Sequence, residues 1–439
     1  MPLNFAIVDS FLKEKGEVMR DKTLLRHERS RILGELRDRL EGSLREQEAF
    51  EAEFNSLVAE RIRKAAGVED LFTLHQKAIA GVGKYFLEED NVVDVHDLFR
   101  IVRDRITERV LLLVEEEMEL QGYGPRPCPY GWIGLGSEGR DEQTLVTDQD
   151  NMLIYGEEAD EEGPLQPHLV ERFHEYRKDM GIDDGFEKKE TSKAVIDFYY
   201  KIFSEKAVER LHEVGFEKCS GNVMPSNPKW RGSLKDWRQR LDQRLTFERG
   251  DFDGLDVIIL TDARYLAGDR ALLHELLGGF FPRLTGNKHM MKDFIESAVL
   301  MPTALSFFGK FKVQNTGDHK DMLNLKLHGW APLILAVRML ALSNSIFEPN
   351  TLKRIRGLRA GNMIKKEMES DLIEAYLTFV KFRIMNQLTS GKRENHMDLS
   401  FMRPDMLGPH EQEKLRKAMR AVEALQKYIQ SVLLFGQAI

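Results

Sequence analysis

Between Gly122 and Gly131 the chain reads GYGPRPCPYG, with three prolines and three glycines in ten residues. Proline lacks the N–H that a helix ladder needs, and glycine favours turns, so no helix runs through this segment. It divides two textures. Residues 1–120 are poor in Gly and Pro and dense in Glu, Arg, Lys and Leu. From Lys22 to Lys64 the apolar residues are sparse among mixed charges, as in exposed or coiled helices. Leu33, Leu36, Leu40 and Leu44 recur at helical spacing, and Leu98, Ile101, Val102, Ile106, Val110 and Leu113 follow an i, i+3, i+4 pattern. The whole of 1–120 is expected to be helical, a packing arm or a surface for homodimerisation.

Beyond the break the apolar runs shorten and are flanked by Gly, which is the pattern of strands. Strands are expected at GWIGLG and within LVTDQDNMLIYG, and helices over Leu169 to Met180, Ser192 to Val214 and Leu234 to Leu245. LDVIILTDARYL (Leu255 to Leu266) is helix or strand by periodicity alone. Residues 121–285 are therefore expected to be an α/β domain with a mixed sheet, and 286–439 a helical bundle. In the bundle's last helix Leu415, Met419, Val422, Leu425, Ile429 and Val432 line one face. No fixed-period repeat is present, which argues against a solenoid.

Composition removes several functional classes. Among 439 residues, 64 Lys and Arg face 72 Asp and Glu, a net charge of −8, so the chain has no global field for DNA or RNA. Cys128 and Cys219 are its two cysteines, too few for a disulfide framework or a four-cysteine zinc site. The longest apolar run, Trp330 to Val337, ends at Arg338, far short of the ~20 residues that span a bilayer. The first residues lack a basic stretch followed by a long apolar one, as a secretory signal would have. A cytoplasmic setting is expected.

The chemistry concentrates in Gly131 to Tyr155, GWIGLGSEGRDEQTLVTDQDNMLIY. Gly134, Gly136 and Gly139 spell G-x-G-x-x-G, the dinucleotide fingerprint. That fingerprint needs a following helix with small apolar residues, whereas Arg140, Asp141, Glu142 and Gln143 follow here. The next strand also arrives too soon for a parallel crossover. A nucleophile elbow would need Gly where Leu135 stands. His96–Asp97 with His75 upstream hints at a metal phosphohydrolase but lacks a well-spaced final acid, and His96 is expected on an exposed helix end.

A nucleotidyltransferase site accounts for the stretch better. Attack on the α-phosphate of a nucleoside triphosphate requires carboxylates to hold Mg²⁺ and backbone amides to hold the departing phosphates. Asp148 and Asp150 are i and i+2 on an expected strand, so both project from one face while Gln149 points the other way. Two acids so placed repel unless a cation sits between them. Gly136 and Ser137, eleven residues before Asp148, open a short helix whose N–H groups are free.

GSEGRDEQTLVTDQDNMLIY resembles the signature of the DNA polymerase β-type nucleotidyltransferases. More narrowly, it resembles the nucleotidyltransferase-like family often fused to cyclic-nucleotide-binding and CBS domains, a family related to the protein-PII uridylyltransferase. GNVMPSNPKWRGSLKDW (Gly221 to Trp237), TDARYLAGD (Thr261 to Asp269) and LNLKLHGWAPLILAVRMLAL (Leu323 to Leu342) are similar to later blocks of that family, in order. The likeness covers roughly Ile106 to the C-terminus, and residues 1–105 carry no cyclic-nucleotide or CBS pattern. It implies Gly136 and Ser137 as the phosphate-binding pair and Asp148 and Asp150 as ligands of Mg²⁺ or Mn²⁺. Arg140, one turn after Ser137, would reach a phosphate, with Glu142 as its structural partner. A third acid on a later strand would activate the acceptor; Asp262 is the first choice and Asp256 the second. Lys326 is expected to bind nucleotide, and among other basic residues facing the cleft are Arg231, Arg338 and Arg383. Trp230 is placed to stack a base or to sit half-buried in the core. The implied activity is transfer of a nucleoside monophosphate from an NTP to a protein or small-molecule hydroxyl in a regulatory setting. The alternative is an inactive nucleotide-binding signalling module, and the two separate on whether a third acid approaches Asp148 and Asp150.

Overall fold

The computed structural model describes residues 5–21, 23–156, 167–181, 188–306, 308–389 and 399–434. Helices α1 (Phe5–Arg20) and α2 (Arg26–Ser56) pack on one another, and α2 buries only Ile32 along its length. A π-helical stretch (Leu57–Ile62) leads into α3 (Val68–Glu89) and then α4 (Val92–Leu120). Asn91 caps α4 by accepting from the N–H groups of Val93 and Asp94. Val95, Phe99, Val102, Ile106, Val110 and Val114 form the buried stripe of α4. Gln121 ends the helix and Gly122 takes φ +82°, a left-handed position that glycine occupies at little cost.

The sheet follows. Strand β1 (Tyr130–Gly134) leads into a single helical turn, α5 (Gly136–Gly139), then β2 (Asp148–Gln149) and β3 (Asn151–Tyr155). Helices α6 (Pro167–Asp179) and α7 (Lys188–Glu213) precede β4 (Glu217–Lys218), β5 (Arg231–Ser233), α8 (Leu234–Leu245), α9 (Gly254–Leu260) and β6 (Arg264–Gly268). The main sheet has the order β5-β3-β1-β6, with β1 antiparallel to both β3 and β6, and β3 parallel to β5. Trp132 lies opposite Leu153, and Ile133 opposite Met152. Side chains alternate between two cores. Ile133, Met152 and Ile154 join the core of α8, α10 and the C-terminal helices, whereas Tyr130, Trp132, Leu153 and Tyr155 join the core of α4 and α7. Both faces are covered, so every residue of β1 and β3 is buried.

The remaining chain is helical: α10 (Arg270–Gly286), α11 (Lys288–Leu300), α12 (Ala331–Ser343), α13 (Thr351–Ala360), α14 (Lys366–Thr389) and α15 (Pro409–Ile429), with a minor pair β7 (Leu323–Asn324) and β8 (Phe401–Met402). Leu415, Met419, Val422, Leu425 and Ile429 are buried as the periodicity predicts, with Val432 half-buried beyond them. The molecule is mostly helical around a small mixed sheet. No described helix is long and apolar enough to cross a membrane.

Two expectations change. LDVIILTDARYL divides into α9 and β6, with a turn between. The single strand expected through Asp148–Tyr155 is broken at Asp150: β2 pairs in parallel with β4, and β3 starts afresh in the main sheet. The chain changes sheets at the aspartate itself.

Candidate active site

Leu135 donates its N–H to the Asp150 carbonyl at 2.7 Å, which brings the turn after β1 against the start of β3. Gly136 then takes φ +52°, and a Cβ built on it would fall 2.3 Å from Asp150 Oδ2. Only glycine fits there, because the carboxylate occupies the space of a side chain. Ser137 Oγ and Thr147 Oγ1 lie 3.1 Å apart, tying the turn to the residue before Asp148. The first N–H groups of a helical turn have no intrahelical acceptor, so the cradle offers donors beside the carboxylate.

Asp148 and Asp150 are both half-buried and interact, with Gln149 turned away. Gln149 is buried and donates from Nε2 to the carbonyls of Phe216 and Val208 at 2.9 and 3.2 Å. Burial pushes the Asp150 carboxyl up to about 6, the neighbouring Asp148 adds to the rise, and a hydrogen bond from the Cys219 thiol, with Lys326 and Arg140 at longer range, opposes it. The Cys219 thiol is itself pushed up to about 12, chiefly by burial and then by Asp150. Two neighbouring carboxylates are hard oxygen donors of the kind that Mg²⁺ or Mn²⁺ takes. Among the described residues no group of three or more His, Cys, Asp or Glu side chains is arranged to hold a metal ion.

The third acid is elsewhere. Asp262 is fully buried, and Arg140 Nη1 meets its Oδ2 at 2.5 Å. Arg338 binds the same oxygen, and Arg354 approaches Oδ1 at 3.5 Å while donating to the Thr261 carbonyl at 3.2 Å. Three guanidiniums leave this carboxylate no capacity for a metal or for an acceptor proton. Asp256 is equally engaged: it closes a capping box with Asp253 at the start of α9 and pairs with Lys229 at 2.5 Å.

Arg140 is corrected by the same contacts. Instead of reaching a phosphate, it is buried between Asp262 and Glu142, with Nε 2.8 Å from Glu142 Oε2, and these carboxylates hold it above its ordinary range. Glu142 is its partner as expected, and also accepts the N–H of Thr351 at 2.7 Å, while Asn350 donates to the Arg140 carbonyl at 2.8 Å. This hub joins the turn after β1 to α12 and α13. A Cβ at Gly139 would fall 2.0 Å from the Asp262 carbonyl oxygen, and one at Gly134 would fall 2.9 Å from Glu138 Cγ. The three glycines therefore serve close packing. A dinucleotide fold is excluded as well, since β1 and β3 are antiparallel and α5 is four residues long.

Other residues also find structural places. His96 is buried, not exposed: Nδ1 lies 2.7 Å from the Gln143 carbonyl and Nε2 3.0 Å from the Tyr376 hydroxyl. His75 is buried with Nδ1 3.0 Å from the Val214 carbonyl, and burial pushes it down to about 3. Trp230 packs in the core against Trp237 and Phe252, and Arg231 donates to the carbonyls of Pro225 and Ser226. Lys326 begins the π-helical turn Lys326–Trp330, close enough to Asp150 to act on its charge. Sequence reasoning missed Cys219, 69 residues from the aspartate it serves, and the role of Trp330, whose ring carries both Arg140 and Arg383. Nothing in local spacing signals either.

The family described as "Putative nucleotidyltransferase DUF294" matches residues 77–185 and 183–250, starting within α3 and so ahead of Ile106. The family described as "Putative nucleotidyltransferase substrate binding domain" matches residues 288–433. No curated protein matches the chain. With the Gly–Ser turn and the aspartate pair inside the first match and the helices that flank them inside the second, the chain belongs to this nucleotidyltransferase-like family.

Proposed function

We propose that the chain moves a nucleoside monophosphate from an NTP to a hydroxyl on a protein or small molecule, in a regulatory role. The observation that carries this is the Asp150 carboxylate lying against Gly136, with Asp148 beside it. Asp148 and Asp150 would hold Mg²⁺ or Mn²⁺, an ion that commonly takes one or two carboxylates and fills its shell with water and substrate phosphates. Bound there, the metal supplies neutralisation of charge on the phosphate oxygens. Gly136 and Ser137 would orient the polyphosphate through backbone N–H groups, and Lys326 would draw it in from the rim. UTP is the first nucleotide to test, given the resemblance to protein-PII uridylyltransferase. We divide the chain, for this proposal, into a helical arm (1–120), a transferase domain (121–285) and a bundle (286–439) that flanks the nucleotide. The arm's exposed Leu25, Leu33 and Leu44 suit pairing with a second copy.

A second reading, a nucleotide-binding signalling module without transfer, is favoured by one observation: Asp262 is engaged by three arginines, so it does not serve the acceptor hydroxyl as a third carboxylate. Incubation with each α-labelled NTP, Mg²⁺ and a cytoplasmic extract separates the two. Transfer of label, lost in Asp148→Asn with an unchanged melting temperature, supports the transferase. Mg²⁺-dependent NTP binding with no labelled product supports the module. Full transfer by Asp148→Asn would remove the aspartate pair from both.

A further inference from the structure

One guanidinium on which Asp148 acts has no ion-pair partner among the described residues. Gly329 packs so tightly on α14 that a Cβ there would fall 2.9 Å from Phe379 Cε1. This presses the turn carrying Lys326 and Trp330 against α14, and Arg383, one helical turn after Phe379, then lies 4.6 Å above the Trp330 ring centroid. Arg140 lies 5.1 Å from the same ring. The two cations repel one another, yet their surroundings differ. Arg140 is neutralised by Glu142 and Asp262, and Arg338 and Arg354 also share Asp262.

Arg383 makes no ion pair among the described residues, and its Nη1 is shielded from water without a hydrogen-bond partner. The groups acting on it are Tyr376, Arg140, Asp148 and Glu142; burial is the main influence and pushes it down to about 10. The residue is half-buried rather than sealed, and Asp148 is one of the two aspartates of the proposed metal site. A desolvated cation without a partner is costly to keep, and Trp330 fixes this one in place.

We infer that Arg383 is the bundle's anion-binding residue, taking the terminal phosphates of the nucleotide while Trp330 forms a rigid wall behind it. The inference rests on the nucleotide reading above and adds the part of the substrate that the bundle recognises: the polyphosphate tail, not the base. A phosphate chain suits the position because its separate oxygens can meet a metal on Asp148 and Asp150 and a guanidinium at the same time. The planar fork of arginine matches two phosphate oxygens where lysine offers a point charge.

The test uses the full chain and inorganic tripolyphosphate without metal, so that it does not depend on transfer. Calorimetry on wild type, Arg383→Gln and Arg383→Lys should show at least tenfold weaker binding in Arg383→Gln and an intermediate loss in Arg383→Lys. The melting temperature of ligand-free Arg383→Gln should be no lower than that of wild type, because an unpaired buried charge is removed. Unchanged tripolyphosphate affinity in Arg383→Gln overturns the inference, as does no binding by wild type. If Arg383→Gln does not fold, Arg383→Lys decides: wild-type affinity in that variant also overturns it. Tripolyphosphate binding lost in Arg383→Gln, in a protein that labels no acceptor, would sink the transferase and leave this site standing. Transfer with an unchanged KM for NTP in Arg383→Gln would do the reverse.

Discussion

Two sets of acid flank the turn Gly136–Gly139, and they are treated in opposite ways. Asp262 is wrapped by Arg140, Arg338 and Arg354, from two separate parts of the chain. Asp148 and Asp150 sit together, with Lys326 and Arg140 acting on Asp150 only from longer range, and Asp150 is pushed up to about 6 by burial. A carboxylate satisfied by protein cations is a strut. A pair left short of cations, with one member reluctant to ionise, is what the proposed metal site calls for.

The comparison breaks first at Asp262. Asp262→Asn would leave three buried guanidiniums without their shared anion, and urea denaturation should show a loss of about 3–5 kcal/mol, enough to unfold a marginal protein. Equal stability in that variant would mean that water already reaches the hub. Asp150→Asn should move the other way. Folded Asp150 keeps its proton up to about pH 6, whereas an unfolded aspartate releases it near 3.8. Its contribution to stability is therefore complete below pH ~3.8 and is lost as pH rises through about 6. The substitution should stabilise the metal-free protein at pH 8 by up to about 3 kcal/mol, show no gain at pH 3.5, and remove Mg²⁺-dependent nucleotide binding. A variant destabilised at pH 8 would place Asp150 with the struts. Lys326→Ala is the mildest test. Lys326 makes no ion pair among the described residues, so melting should change by no more than about 0.5 kcal/mol. NTP affinity should fall several-fold, and an unchanged affinity would remove Lys326 from the site.

What could be read in the sequence follows the length of the interactions. Gly136, Ser137, Asp148 and Asp150 lie within fifteen residues, and one turn and one strand start bring Gly136 and Asp150 into contact. Spacing alone conveys that much. The helical arm, the strands on either side of α5 and the apolar face of α15 were equally legible, because each is a local periodicity. Asp262 was misread because its employment depends on Arg338 and Arg354, 76 and 92 residues further on. Arg140 was misread with it, since a phosphate-seeking arginine and a buried one look alike until the opposing acid is located. His96 failed for a related reason: its helix start, exposed by sequence pattern, is covered by Tyr376, 280 residues away. Broken pairing at Asp150 was hidden too, because β2 and β3 are continuous in sequence and differ only in their distant partners, β4 and β1.

The arginines on Asp262 also constrain motion. Arg338 and Arg354 reach in from α12 and α13, so swinging the C-terminal helices away as a rigid lid would strip two guanidiniums from a sealed carboxylate. On the proposed function, access to the aspartate pair would then come without a rigid-body swing of these helices. The shared carboxylate thus acts as a rivet between the turn after β1 and the C-terminal helices.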